Sequence, residues 1–342
     1  MQYIGIDVSK ATLMVAYPQD NKKYKTREFQ NTAEGIRSLI STLKADDHCV
    51  MEATGNYGYL LLYLLDKAGI CTSMENPLKV KNFARTMLSV TKTDKADAKL
   101  LSLYGERMKP EPYKIPSEAL LLLKQKRAVF RQFKKQLLAN KNLKKALEAM
   151  PEQDHKAIEA IEKVTITLEK QIKAVEEELN TLTQAEFNQQ MSKLTTIKGI
   201  GTALAAALII TTGGFTYFDN AKQVSRYLGL CPTYQQSGTS IHVKGRINRN
   251  GDPYLRAQLY TASWSMVKYN TACRELFTRL KERGKSGKPA LVAVMNKSIR
   301  QCFAVVKQNI DYQDGFVSKK PQLLPAGSAC RQGSVGTLPT RQ

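Results

Sequence analysis

The order of apolar runs in the first 110 residues constrains this chain more than any other feature. Tyr3 to Val8, Thr12 to Tyr17 and Tyr24 to Phe29 read as short strands, and the first two are separated only by Ser9-Lys10-Ala11. So short a link joins antiparallel neighbours, because a parallel crossover needs a dozen residues or more. The three runs therefore predict an antiparallel meander. Asn31 is placed to cap a helix from about Ala33 to Leu43. Cys49 to Ala53 is a fourth strand, broken by Thr54-Gly55-Asn56, and Tyr57 to Ala68 is an apolar helix ended by Gly69. Ile70 to Met74 is a fifth strand, followed by helical stretches around Val80 to Leu88 and Lys95 to Met108. Lys109-Pro110-Glu111-Pro112 stops the pattern, since two prolines forbid a continuing helix.

Three strands, a helix, then alternating strand and helix is the order of an RNase H-like (RuvC-like) domain, here spanning residues 1–112. Four acidic residues fall where such a fold gathers carboxylates. Asp7 lies in the first apolar run, Glu52 in the fourth, and Asp94 and Asp97 open a helical pattern three residues apart. Residues three apart share a helix face, so the last two can point at one spot. An aspartate at a strand end often caps a turn, and acidic residues favour a helix N-terminus on electrostatic grounds. Either role explains one residue; four in matching positions of one topology suggest a divalent-cation site for phosphoryl transfer.

The rest of the chain says what that site would face. Lys and Arg number 52 against 30 Asp and Glu, a net charge of +22. Such an excess points to a polyanion, nucleic acid or an anionic membrane surface. No apolar run approaches the roughly 18 residues of a spanning helix, and the N-terminus enters a strand without a signal-peptide layout. The expectation is a cytoplasmic, nucleic-acid-facing protein with no membrane partner. Cys49, Cys71, Cys231, Cys273, Cys302 and Cys330 are scattered, with no C-x-x-C pair, and the three histidines are His48, His155 and His242. Zinc and a Ser-His-Asp triad have little to draw on, and the cysteines read as reduced thiols.

Residues 113–190 read as two long helices. The first carries Lys124, Lys126, Arg127, Arg131, Lys134, Lys135, Lys141, Lys144 and Lys145 against only Glu118 and Glu148. After Pro151 the second places Ile158, Ile161, Thr165, Leu168, Ile172, Val175, Leu179 and Leu182 at alternating steps of three and four, a heptad seam. A helical hairpin and an intermolecular coiled coil satisfy it equally. Residues 191–312 read as a basic, mainly helical domain, with fifteen Lys or Arg and three Asp or Glu between Lys222 and Arg300. Residues 313–342 are rich in Gly, Ser, Pro and Lys and are expected to be a disordered tail. The fold class is α/β plus α.

Two motifs in the third region could meet phosphate. In Ile197-Lys198-Gly199-Ile200-Gly201 a Gly-x-Gly turn between helical segments resembles a helix-hairpin-helix, in which Lys198, Gly199 and Gly201 could approach a backbone; a tight turn with no ligand explains it equally well. The segment Gln235 to Arg256 holds Ser237-Gly238-Thr239-Ser240 in a polar, flexible loop, then Lys244, Arg246, Arg249 and Arg256. The cations suit phosphates. A serine there needs a metal or base from elsewhere to act as nucleophile, and by composition Ser240 is as good a candidate as Ser237.

Taken in order, these motifs resemble the Piv-type DNA invertases and the related insertion-sequence transposases of the IS110 family, over roughly residues 1–310. Tyr3-Ile4-Gly5-Ile6-Asp7, Met51-Glu52-Ala53-Thr54-Gly55 and Thr93-Asp94-Lys95-Ala96-Asp97 are similar to its acidic motifs. Ile197 to Gly201, Tyr227-Leu228-Gly229-Leu230-Cys231-Pro232, Ser237-Gly238 and Gly251-Asp252-Pro253-Tyr254-Leu255-Arg256 are similar to its C-terminal transposase domain. The resemblance implies a DEDD site of Asp7, Glu52, Asp94 and Asp97 binding Mg²⁺ or Mn²⁺. It also implies Ser237 as nucleophile, forming a phosphoserine link to DNA. It further implies double-stranded DNA partners (element ends and target), a noncoding bridge RNA as guide, and a homo-oligomer, dimer or tetramer. Lys124, Arg127, Lys134, Lys135, Lys144 and Lys145 on the basic helix are expected to track a nucleic-acid backbone. The alternatives are a RuvC-like junction nuclease that uses water, and a non-catalytic basic nucleic-acid-binding protein.

Overall fold

A computed structural model describes residues 1–315 except 21–22, 54, 89–92, 238–240 and 248–250, and of residues 233–246 only backbone. The chain divides into two compact units, Met1–Ser117 and Glu118 onward.

The first unit is a five-stranded sheet with helices on both faces. Its strands are β1 (Tyr3–Val8), β2 (Thr12–Pro18), β3 (Tyr24–Gln30), β4 (His48–Glu52) and β5 (Cys71–Glu75), in the order β3-β2-β1-β4-β5. β1 pairs antiparallel with β2 and parallel with β4, and β4 pairs parallel with β5. This is the RNase H-like arrangement. Strand side chains alternate between faces, and the core follows. Ile4, Ile6 and Val8, with Leu13, Val15, Cys49 and Met51, meet α1 (Ala33–Ile40) and α2 (Tyr59–Lys67). The opposite face, with Val50, Met14 and Ala16, packs on α3 (Pro77–Thr86) and α4 (Asp94–Met108). Asp7 and Glu52 belong by the same alternation to the α4 face.

Local chemistry moved several boundaries. Thr32, not Asn31, caps α1, its hydroxyl accepting from Gly35 N at 3.2 Å. Asn31 is engaged elsewhere, donating to the carbonyls of Ser9 at 2.9 Å and Tyr57 at 3.1 Å. The helix expected from Tyr57 begins as a 3₁₀ turn, Gly55–Gly58, and becomes α-helical at Tyr59. The unit also runs past the double proline. Tyr113 N donates to Thr72 O at 2.8 Å, and Tyr113 and Ile115 pack on the α1/α2 core.

In the second unit α5 (Glu118–Glu148) and α6 (His155–Glu186) pack on each other as an antiparallel hairpin. Its ion pairs show the direction: Lys126 meets Glu178, Lys141 meets Glu169 at 2.6 Å, and Lys144 meets Glu162 at 3.1 Å. The heptad seam is used inside the chain. It shifts at its end, where Thr183 is buried and Leu182 is 37% exposed. Beyond it lie α7 (Asn188–Thr195), α8 (Thr202–Thr212), α9 (Ala221–Tyr227), the antiparallel strands β6 (Pro232–Ser237) and β7 (Ile241–Ile247), α10 (Pro253–Tyr269), α11 (Thr271–Glu282) and α12 (Gly287–Gln308). The apolar helix α8 is buried almost throughout and is the centre of this core. The stretch around Ser237, expected as a flexible loop, is a β-hairpin, because Ile241, Val243 and Ile247 supply the β-branched alternation a strand favours.

Of the expected tail, 316–342 lies outside the described residues. Of residues 313–315, which are described, Asp314 is anchored. Asp314 accepts from Thr271 N at 3.0 Å, Lys198 Nζ at 3.1 Å and Tyr312 Oη at 3.1 Å. Among the described residues no helix is long and apolar enough to cross a membrane.

Candidate active site

Asp94 and Asp97 come within electrostatic reach of Asp7 because α4 lies almost against β1. A Cβ on Gly5 would stand 2.0 Å from Ala98 O and 2.4 Å from Ser102 N. Only glycine lets the helix backbone come so near. Gly105 repeats the device one turn from the far end, where a Cβ would be 2.7 Å from Tyr3 and 2.8 Å from Val50. Ser102 Oγ donates to Tyr3 O at 2.6 Å. Thr93 caps α4 by accepting from Ala96 N at 3.2 Å, so Asp94 and Asp97 both lie in its first turn. Across the sheet, Ile6 pairs with Met51, and the next step along both parallel strands brings Asp7 level with Glu52.

The electrostatics register this gathering. Burial, with Asp97, Asp94 and Glu52 close by, pushes the Asp7 carboxyl up to about 6. Carboxylates from β4 and α4 thus act on Asp7 in β1. Among the described residues no three acidic, histidine or cysteine side chains are already drawn to metal-ligating distance. Like charges repel, and closing them onto one point takes a cation. The donor set is oxygen only, which suits a hard divalent ion such as Mg²⁺ or Mn²⁺. The residues fit such a group. Glu75, one strand further on, is a buried carboxylate that sequence reasoning missed. It pairs with Lys79 at 2.9 Å, so its charge is already answered.

In the second unit Ser237 is the last residue of β6 and pairs across the hairpin with Ile241, the first of β7. Its side chain lies outside the described part, as do those of Lys244 and Arg246 and the whole of Ser240 and Arg249. The hairpin leads into α10, capped by Asp252, whose carboxylate accepts from Tyr254 N at 2.9 Å. Gly251 lies against the α9 end: a Cβ there would be 2.2 Å from Leu228 C and 2.6 Å from Gly229 N. The Leu228-Gly229 and Gly251-Asp252-Pro253 motifs are therefore two sides of one backbone contact. Arg256 donates to Gly251 O at 2.6 Å.

The nucleic-acid residues separate once their neighbours are seen. Arg127 is 9% exposed, donates to Thr211 Oγ1 at 2.6 Å and pairs with Asp252 at 3.2 Å. A helix with one apolar face buries whatever shares that face, and Leu120, Leu123 and Phe130 share it with Arg127. Gly199 also has a packing role. At φ 96° it faces α10, and a Cβ would be 2.6 Å from Met266 Cγ, so the glycine serves helix packing. Gly201 caps α8 with open space around it. Lys198 is held by Asp314, and Lys144 by Glu148 at 3.7 Å and Glu162 at 3.1 Å. Lys134 lies 5.3 Å over the Phe130 ring, while Lys135 and Lys145 are exposed. Lys124 is half-buried, and burial pulls its ammonium below the usual lysine value.

Known proteins match most of the chain. A transposase model for the IS110 DEDD group matches residues 4–150, and the model described as "Transposase IS116/IS110/IS902 family" matches residues 191–278. The pilin gene-inverting protein of Moraxella bovis is 30% identical over 321 residues, covering 90% of this chain and 96% of that protein. The IS110 43.6 kDa protein of Streptomyces coelicolor is 31% identical over 143 residues, covering 42% of this chain and 35% of that one. Among solved structures, Thermus thermophilus RuvC matches with a TM-score of 0.24 and 16% identity, over 33% of this chain and 100% of its own. With two family models matched in succession along the chain and a relative matched over nearly its whole length, the chain belongs to the IS116/IS110/IS902 family of transposases.

Proposed function

We propose that this transposase cuts and rejoins DNA strands by transesterification, with Asp7, Glu52, Asp94 and Asp97 as the metal-binding set and Ser237 as nucleophile. The carrying observation is Asp7, pushed up to about 6 by burial and by three carboxylates from β4 and α4. An unneutralised cluster of this kind destabilises the fold, and a cation-binding role accounts for its being kept. A divalent ion bound there supplies polarisation of a phosphate oxygen. The protein's own residues do the rest. Asp7, Glu52, Asp94 and Asp97 would hold that ion, and so set where the scissile phosphodiester binds. Ser237 Oγ forms a bond to phosphorus as the bond to one DNA oxygen breaks, and the hydroxyl proton ends on that departing oxygen. A phosphoserine ester and a DNA hydroxyl result. Attack by another DNA hydroxyl reverses the step and restores the serine, so rejoining needs no external energy.

The partners in this reading are double-stranded DNA at the element ends and target, a noncoding guide RNA, and further copies of the chain as a dimer or tetramer. The net charge of +22 supports a nucleic-acid partner without choosing between DNA and RNA. Work on DNA puts the protein in the bacterial cytoplasm, at the chromosome.

The test is a trap for covalent protein–DNA adducts. The protein is incubated with Mg²⁺, DNA carrying its element's ends and transcripts of the flanking sequence, then denatured. A shifted band in wild type that is lost in Ser237→Ala and in Asp7→Ala supports the mechanism. Metal-dependent cleavage that survives Ser237→Ala without an adduct indicates the water-using nuclease. Activities all unchanged in Asp94→Ala indicate a binding protein.

A further inference from the structure

A cleft of about 430 Å³ opens between the helical hairpin and the core of the second unit, within the ~300–1,000 Å³ typical of small-ligand sites. Lys124, Arg127 and Arg131 come from α5, Ile210 and Thr211 from α8, Tyr227 from the end of α9, and Asp252 from the cap of α10. Most of its polar groups already have partners. Arg127 is engaged by Thr211 and Asp252, and Thr211 Oγ1 donates in turn to Ala207 O at 2.7 Å. Arg131 gives Asp252 a single contact at 3.3 Å, which leaves most of its five N–H donors for another acceptor. Lys124 forms no ion pair among the described residues, although it is half-buried. The cleft therefore holds more positive charge than its one carboxylate answers. Beside that charge stands an aromatic face: Tyr227 is 53% exposed, and its ring is steadied by Phe218 at 5.3 Å between centroids.

We propose that this cleft receives one unpaired nucleotide of the nucleic acid the protein handles, the phosphate at Lys124 and Arg131 and the base stacked on Tyr227. A cation beside an exposed aromatic ring is the pairing by which proteins hold single strands, because every base offers a flat face once it is unpaired. A duplex fits poorly, since its bases are stacked inside and a concave site of this size does not admit it. DNA and RNA share the phosphate and the base face, so either can supply the nucleotide. The inference rests on the recombinase reading for the presence of nucleic acid, but it requires no strand to be cut.

The experiment is photo-crosslinking of the full-length protein in EDTA to two probes, a short oligothymidylate carrying one 5-iododeoxyuridine and an oligouridylate carrying one 5-iodouridine. Mass spectrometry then locates the adduct. The expected result, with either probe, is an adduct on the peptide containing Tyr227. Tyr227→Leu should lose it and weaken binding, measured by anisotropy, about tenfold, while Tyr227→Trp keeps both. Lys124→Gln should lower the slope of log affinity against log salt by about one. Adducts found only elsewhere, with Tyr227→Leu binding both probes as wild type does, overturn the proposal. A Tyr227 adduct in a protein that never forms a serine–DNA adduct leaves the cleft standing and removes the recombinase mechanism. A serine–DNA adduct without a Tyr227 crosslink does the reverse.

Discussion

Carboxylates are treated in opposite ways by the two units. Near the end of the central strand of the first unit's sheet, Asp7 feels the charges of Asp97, Asp94 and Glu52, and its proton affinity rises. In the second, Asp252 lies between Arg127 and Arg131 at 3.2 and 3.3 Å and caps a helix as well. The first arrangement costs folding stability, and the second fastens α5 to the start of α10. The difference teaches that a charged residue takes its meaning from what it faces. Gathered like charges suggest a ligand still to come, whereas answered opposite charges suggest a brace.

The sharpest way to break that comparison is to neutralise each carboxylate. Asp7→Asn should lower DNA strand cleavage by about 10²–10³-fold, in line with loss of a key electrostatic group in an active site. It should leave the metal-free melting temperature equal or higher, because it removes repulsion. An active Asp7→Asn protein, read in a plasmid-cleavage assay, would remove the acidic site from the mechanism. Asp252→Ala should do the opposite to stability. It strands the buried Arg127 charge and uncaps α10, and breaking a buried pair costs about 3–5 kcal/mol. Denaturant unfolding reads the loss directly. The double variant Arg127→Met with Asp252→Ala should recover part of it, and no recovery would mean that the pair is not the brace.

Gly5→Ala tests the scaffold that gathers the charges. Its methyl would meet the α4 backbone 2.0 Å from Ala98 O, so α4 must shift, at about 1–3 kcal/mol. Activity should fall with stability, since Asp94 and Asp97 ride on that helix. An active protein of wild-type stability would show that the close approach is not needed.

pH separates the units more finely. Asp7 holds its proton up to about 6 in the folded protein and loses it near the ordinary carboxylate value of about 4 when unfolded. Between those values the folded state binds more protons, so metal-free stability falls as pH rises through the window. Melting curves in EDTA should show a fall in wild type that Asp7→Asn flattens. Divalent-ion affinity, measured by calorimetry, should rise over the same window as protons stop competing. The smallest effect belongs to the exposed pair Lys141–Glu169 on the helical hairpin. Lys141→Ala should change stability by less than about 0.5 kcal/mol.

Much of this was legible in the order of residues. Period-two alternation in Tyr3–Val8 put Asp7 on the face opposite Ile6, and the three-residue spacing put Asp94 and Asp97 on one helix face. Such local rules operate within a few residues, so a sequence displays them directly. Glycines at 5 and 105 also stood in plain view, yet their use depends on a helix a hundred positions away in one case and a strand as far in the other. Arg127 and Lys124 show the limit most clearly. Both are cations on one basic helix, three residues apart, and nothing in their spacing says which one meets Asp252, 125 positions on. Tyr227 likewise sits in a recognisable motif whose letters do not say that its ring opens onto a cleft.

The sequence by itself determined the strand and helix order of the first unit, the four carboxylates, the heptad seam and the positive charge, because each is written in local periodicity or composition. Only the tertiary structure decided that the seam closes within the chain, that Gly199 serves packing, and that Arg127 is a brace while Lys124 stays without an ion-pair partner among the described residues. Those outcomes depend on which distant surfaces come within a few ångströms, and burial, ion pairing and repulsion are decided at that range.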